Sequence, residues 1–238
     1  MTWSIIARDV ETGAFGIAVA SKFFAVGALV PHIASGVGAI ATQALVNPFY
    51  GFDGLILLQN EIPPDEAIRL LIEPDDGRDH RQVHMMDRHG RIAAHTGAAC
   101  IDWCGHRAAE GFSLAGNMLA GPRVLDETAA AYAANAGLLF PRRLIAAMQA
   151  GEAAGGDKRG KQSAALAICG EEEWPDLDLR VDDHADPLAE LDRLERVSRE
   201  RWVHFRKYLP SRRDPVGITD RNIIEAEIAA ALAGETAP

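Results

Sequence analysis

The sequence predicts a mixed α+β fold, and two observations carry that prediction. Two β-hairpins are legible, one across the turn Val10–Glu11–Thr12–Gly13 and one across Arg88–His89–Gly90–Arg91, with helical runs in the middle and at the end of the chain. The strand Phe15–Gly16–Ile17–Ala18–Val19–Ala20 is apolar on both faces, so both are expected to be covered, as in an inner layer.

In chain order, Ser4–Asp9 and Phe15–Ala20 form the first hairpin, which ends at Ser21–Lys22. Phe23–Val30 is rich in Gly and Ala and stops at Pro31; Ile33–Thr42 reads as a strand whose glycines at 36 and 38 let another backbone or a ligand come close. Asp53–Asn60 reads as a short helix, and Pro63–Pro64–Asp65–Glu66 opens another with the proline and acids that first turns prefer. Val83–Asp87 and Ile92–Thr96 make the second hairpin, and Phe112–Ala115 a further strand. Val124–Ala134 and Arg142–Ala150 are read as helices, Ala164–Cys169 as a buried strand and Leu177–Val181 as an outer one. Pro187–Tyr208 is expected to be one long charged helix with Leu188, Leu191, Leu194 and Val197 on a stripe. A last helix is expected from Thr219, its cap, to Ala233, with Gly234 as its stop. No internal repeat is present. The boundaries drawn are a domain over residues 1–210 and a helical extension over 211–238.

The chemistry points to residue 2. Removal of Met1 would leave Thr2 with a hydroxyl and a free α-amine on one residue, a nucleophile beside its own general base. An α-amine titrates near roughly 7.7–8.0, so it is partly neutral where a lysine, near roughly 10.4, is charged. β-Branching limits where the hydroxyl points. If the first two strands pair, Ser21 and Lys22 come near Thr2. Gln43 and Asn47 sit at the rim after the next strand, where an amide can donate to a developing oxyanion; Asn47 reads equally well as a turn fixed by Asn–Pro. Asn117 precedes Gly121–Pro122 and is either a turn or a pocket residue.

These residues lie in stretches that resemble a known family. Thr2-Trp-Ser-Ile-Ile-Ala-Arg-Asp, Ala18-Val-Ala-Ser-Lys-Phe23, Ala41-Thr-Gln-Ala-Leu-Val-Asn-Pro-Phe-Tyr-Gly51 and Thr96-Gly-Ala-Ala-Cys-Ile-Asp-Trp103 resemble the bacterial DUF1028 family. So do Gly116-Asn-Met-Leu-Ala-Gly121, Gly155-Gly-Asp-Lys-Arg-Gly-Lys-Gln-Ser-Ala-Ala165 and Arg180-Val-Asp-Asp-His184, in order from residue 2 to about residue 195. The resemblance implies the four-layer αββα sandwich of N-terminal nucleophile (Ntn) hydrolases: two packed, mostly antiparallel sheets flanked by helices. It also implies Thr2 in the nucleophile position, and it implies no substrate. Proteasome-like members place an acid after the second strand and a lysine on the third. Here Ser21–Lys22 follow the second strand and no lysine occurs between residues 23 and 46, so a catalytic role for Lys22 is inferred from position.

Gly155–Gly–Asp157–Lys158–Arg159–Gly160–Lys161–Gln162 is nearly a phosphate-binding loop, but Gln162 stands where Ser or Thr is required, and the segment follows a helix. As a basic loop in an acidic protein, Lys158 and Arg159, beside Asp157, are candidates to hold a substrate carboxylate. His95, Cys100, Cys104 and His106 do not have a standard zinc spacing, and Asp182–Asp183–His184 reads as the acidic entrance to a helix; no metal and no cofactor is expected.

The 238 residues carry a net charge of −10, which argues against nucleic acid or an anionic membrane as partner. Ten acids against one arginine in residues 171–192 form a solvated acidic face. Three cysteines do not suggest a disulfide framework. The start lacks a signal-peptide pattern, and the apolar run Phe24–Val46 is interrupted, so a cytoplasmic protein is expected. The function expected is hydrolysis of a small amide-containing substrate through an acyl-enzyme, in a homo-oligomer. A non-catalytic ligand-binding or assembly protein on the same fold is the alternative, and a metal-dependent hydrolase is the third reading.

Overall fold

The computed structural model describes residues 2–235; Met1, on whose removal the reading of Thr2 turns, lies outside them. The chain divides into two compact units, residues 1–191 and 192–238.

The first unit contains two antiparallel sheets. Strands β1 (Thr2–Arg8) and β2 (Phe15–Ser21) form the predicted hairpin. They lie at the centre of a six-stranded sheet with β7 (Trp103–Ala109), β8 (Phe112–Leu119), β9 (Ser163–Cys169) and β10 (Leu177–Val181), in the order β10-β9-β2-β1-β8-β7. The second sheet has four strands in sequence order, β3 (Pro31–Ala34), β4 (Gly38–Ala44), β5 (Arg81–Asp87) and β6 (Ile92–Thr96). Its inner strands face β1, β2 and β8. Helices α1 (Phe49–Gln59) and α2 (Pro64–Ile72) cover its outer face, while α3 (Arg123–Ala134) and α4 (Phe140–Ala153) cover that of the first sheet. The architecture is therefore α+β, helix layer on sheet on sheet on helix layer, as expected.

Sequence alternation explains the layering. β2 is buried at all seven positions: Phe15, Ile17 and Val19 enter the space between the sheets, while the opposite face lies under α4. A Cβ on Gly16 would stand 2.6 Å from Leu144 Cδ1, so this glycine lets α4 lie directly on the strand. Beneath α1 and α2, Ile40, Val83 and Met85 pack with Tyr50, Leu58 and Ile68.

The expected strand 33–42 is two strands: Ser35, Gly36 and Val37 form a turn between β3 and β4, with Gly36 at φ 64°. β7 has no counterpart in the sequence reading; its residues from Arg107 to Ala109 are exposed, so it lacks an apolar stripe. The long helix expected over 187–208 breaks at Arg201, whose φ of −154° leaves the helical region, giving α5 (Pro187–Glu200) and the short α6 (Trp202–Phe205). The last helix, α7 (Arg221–Glu235), is capped by Asp220, whose carboxylate accepts the Asn222 N–H at 2.9 Å, rather than by Thr219. The sequence reading ended the domain at residue 210. In the structure, Phe205 and Tyr208 share a small core with Ile224, Ile228 and Leu232, so the chain from residue 192 belongs with α7. Among the described residues no helix is long and apolar enough to cross a membrane.

Candidate functional site

Thr2 starts the central strand of the larger sheet and has a partner on each side. Register places it opposite Ser21 on β2 and opposite Asn117 on β8. Its Oγ1 lies 3.1 Å from Ser21 Oγ, and both residues are buried. Its side chain shares the inter-sheet face with Ser4 and Ile6, because side chains alternate along a strand.

The Thr2 carbonyl is held from two directions. Gln43 Nε2, from β4 of the facing sheet, and Asn117 Nδ2, from β8, both donate to it at 3.4 Å. Each amide also donates to one acceptor, Gln82 Oε1 on β5, at 2.8 and 3.0 Å. Gln82 is thus the hub. Its own Nε2 lies 2.9, 3.1 and 2.9 Å from Thr96 Oγ1, the Gly105 carbonyl and the Gly116 carbonyl, three acceptors that share its two hydrogens. A second branch runs deeper. Ser4 Oγ donates to Gln43 Oε1 at 2.8 Å, which uses its single hydrogen. Ser4 Oγ therefore accepts from His84 Nε2, also at 2.8 Å, and His84 Nδ1 accepts from the Ser113 hydroxyl at 2.9 Å. Burial, with the nearby His106 adding to it, pushes His84 down to about 3, so the ring is neutral and one tautomer fits the network.

The expected site residues separate into two groups. Ser21, Gln43 and Asn117 gather at Thr2. Asp157 comes close through the backbone: left-handed Gly155 (φ 120°) and Gly156 (φ 49°) turn the chain so that its carboxylate accepts the Lys22 N–H at 2.7 Å and the Arg159 N–H at 2.8 Å. Gln43 and Asn117, expected as oxyanion or pocket residues, direct their amide hydrogens to the Thr2 carbonyl and Gln82 Oε1. Lys22 Nζ donates to the Lys161 carbonyl at 3.1 Å, a contact that turns it outward. Asn47 is not at Thr2. Its side chain accepts the Phe49 N–H at 3.1 Å and donates to Asp75 at 3.4 Å, the turn role allowed for above. Asp75, bound also by the Tyr50 hydroxyl and Arg81, is held far below the usual carboxylate range. Lys158 is paired with Asp102 at 2.6 Å, and Arg159 with Asp157 at 3.2 Å.

A cleft of about 330 Å³ has Phe23, Asn117, Met118 and Arg159 in its wall; Thr2 is not in the wall and is linked to it through Asn117, its partner on β8. Two wall residues, Ala44 (φ 71°) and Met118 (φ 53°), hold left-handed backbones that cost non-glycine residues roughly 1 kcal/mol or more each. Each follows directly on a residue that binds the Thr2 carbonyl, Gln43 or Asn117. Cys100 also borders the cleft; burial, reinforced by Cys104, pushes its thiol up, away from the thiolate a nucleophile requires. Among the described residues no three His, Cys, Asp or Glu side chains are grouped to hold a metal ion.

Ser4, Gln82, His84 and Ser113 were missed in the sequence reading. Their signal was parity: each lies an even number of residues from an inward-facing apolar residue or from Asn117 on its own strand.

A family model described as "Family of unknown function (DUF1028)" matches residues 2–191. The crystal structure of protein SPO2555 from Silicibacter pomeroyi, assigned to the same family model, is 34% identical, with a TM-score of 0.86 over 92% of this chain and 96% of that one. Anbu (ancestral beta-subunit) from Yersinia bercovieri aligns over 88% of this chain and 98% of its own with 11% identity and a TM-score of 0.41, a likeness that supports no conclusion. No curated protein matches the chain significantly.

Proposed function

The chain belongs to the DUF1028 family, and from the geometry at Thr2 we propose that it is an amide hydrolase of the Ntn type with Thr2 as its nucleophile. One observation carries the reading: a buried hydrogen-bond network converges on Thr2, and one of its members, Asn117, lines a cleft. Ordinary packing does not call for two side-chain amides on one terminal carbonyl, since burying polar groups is costly unless each is paired. Fixing a nucleophile before substrate arrives is what such an arrangement achieves.

In this reading Met1 is removed and Thr2 carries a free α-amine. Oγ1 attacks the substrate carbonyl while the amine takes the hydroxyl proton. The tetrahedral intermediate collapses as that proton passes to the leaving nitrogen, which leaves an ester on Thr2 and a free amine product. Water, deprotonated by the same α-amine, attacks the ester, and the acid departs as Oγ1 regains its proton. Ser21 Oγ, 3.1 Å from Oγ1, shares a hydrogen bond with the nucleophile and orients it.

The test begins with intact mass of the protein from its own host, expected to lack one methionine. A β-lactone probe should then add once, and the adduct should map to Thr2. Thr2→Ala should lose labelling and keep its melting temperature. Complete retention of Met1, or equal labelling of Thr2→Ala, overturns the reading and leaves a non-catalytic binding protein.

A further inference from the structure

We propose that the cleft lined by Asn117 and Arg159 is a binding site for an apolar carboxylic acid, with Arg159 holding the carboxylate. On the reading of Thr2 given above, the substrate is then an amide that carries a carboxylate on an apolar body; the binding claim itself does not depend on that reading.

Three features of the cleft support this class. The first is its wall. Phe23, Leu45 and Ile101 line it and are 52, 63 and 59% exposed, and Met118 lies beside them. Large apolar side chains held in water around one concavity mark a ligand surface more than a stable solvent face. The second is charge. Among the described residues that line the cleft there is no carboxylate, and Arg159 is the one permanent cation. The third is how Arg159 is mounted. Its partner Asp157 is 1% exposed at the side chain and receives two backbone N–H groups, whereas the Arg159 side chain is 39% exposed. Arg159 is in the wall and its buried partner Asp157 is not, so an entering ligand meets the cation of this pair, whose planar guanidinium suits a carboxylate. Lys158 has no such role. It is tied to Asp102 at 2.6 Å and is not part of the wall. At about 330 Å³ the cleft is at the small end of ligand pockets, roughly 300–1,000 Å³, which suits one ring or short alkyl chain plus its acid group.

Titration calorimetry with 4-phenylbutyrate and its uncharged counterpart 4-phenylbutanamide tests this directly. The acid should bind about tenfold or more tightly than the amide, the difference expected for one charge-assisted pair. Arg159→Gln should remove that advantage and leave the amide's affinity unchanged, while Lys158→Gln should leave both as in the wild type. Thr2→Ala should bind the acid normally, so binding and nucleophile are judged separately. Labelled Thr2 without acid binding sinks only this proposal, and acid binding without labelling sinks only the hydrolase. Equal affinity for acid and amide, equal losses in the Arg159 and Lys158 variants, or no binding of either compound overturns the assignment. Should Arg159→Gln not fold, Ile101→Asp at the exposed rim should weaken both ligands, and unaltered acid affinity in that variant is equally fatal.

Discussion

The space between the two sheets has two halves built on the same strands but of opposite character. At one end Ile6, Ile17, Val19, Ala39 and Met86 interdigitate as an ordinary apolar core. Two to four residues further along the same faces, β1 presents Ser4 and Thr2, β4 presents Gln43, and β5 presents His84 and Gln82. Both halves are dry: Ile6, Ile17, Ser4, Gln82 and His84 are all 0% exposed. The apolar half stabilises the fold through burial. The polar half pays desolvation for every group and recovers it only through hydrogen bonds, so it adds little net stability and a great deal of positional definition. Stability and the placement of Thr2 are thus assigned to opposite ends of one layer.

The largest effect should come from the apolar half. Ile17→Ala leaves a cavity between the sheets and should cost about 3 kcal/mol, read as a lower denaturant midpoint. Labelling of Thr2 in the folded variant should proceed at the wild-type rate. A slowed rate would show that the two halves are mechanically coupled.

Gln82→Leu attacks the polar half at its hub. It removes the shared acceptor of Gln43 and Asn117, and buried donors left unpaired cost about 2 kcal/mol in all. Here the rate should respond as well, by about tenfold or more, because the Thr2 carbonyl loses its fixed partners. If stability falls while the labelling rate holds, Gln82 is scaffolding only.

His84 sharpens the comparison through pH. Its folded value of about 3 lies below the ordinary 6.5, so below pH 6.5 the unfolded chain takes up a proton that the folded one refuses. Unfolding free energy therefore falls with pH in this window, by about 1 kcal/mol between pH 7 and 5.5, and this group adds no pH dependence above it. Urea midpoints at the two pH values should converge in His84→Gln relative to the wild type. An unchanged slope would mean that the imidazole is solvated.

The polar half is also where the sequence was hardest to read. Covered strands were legible because β2 and β9 are apolar except at Ser21 and Ser163, and the first hairpin brought Ser21 near Thr2, where the observed register sets the two opposite. On β5, however, Gln82 and His84 alternate with Val83 and Met85, a pattern that looks like one solvated face and one buried face. The apolar face of β5 lies under α1 and α2, and its polar face meets the other sheet. Single-strand alternation cannot separate water from a second polar surface. Asn47 misled for the converse reason: an amide at a rim is as suitable for capping a turn as for meeting an oxyanion, and only the position of Asp75, 28 residues away, decides between them.

The smallest effect is expected at the seam between network and cleft. Ser21→Ala removes a hydroxyl from the pair with Thr2 Oγ1, and one neutral hydrogen bond is worth about 1 kcal/mol or less to stability. If Ser21 orients the nucleophile, the labelling rate should drop several-fold while the melting temperature barely moves, and Ser21→Thr, which restores the oxygen, should recover most of it. If rate and stability fall together as in Gln82→Leu, Ser21 belongs to the supporting network. An unchanged rate would place the start of the orienting apparatus one residue deeper, at the two amides that grip the Thr2 carbonyl.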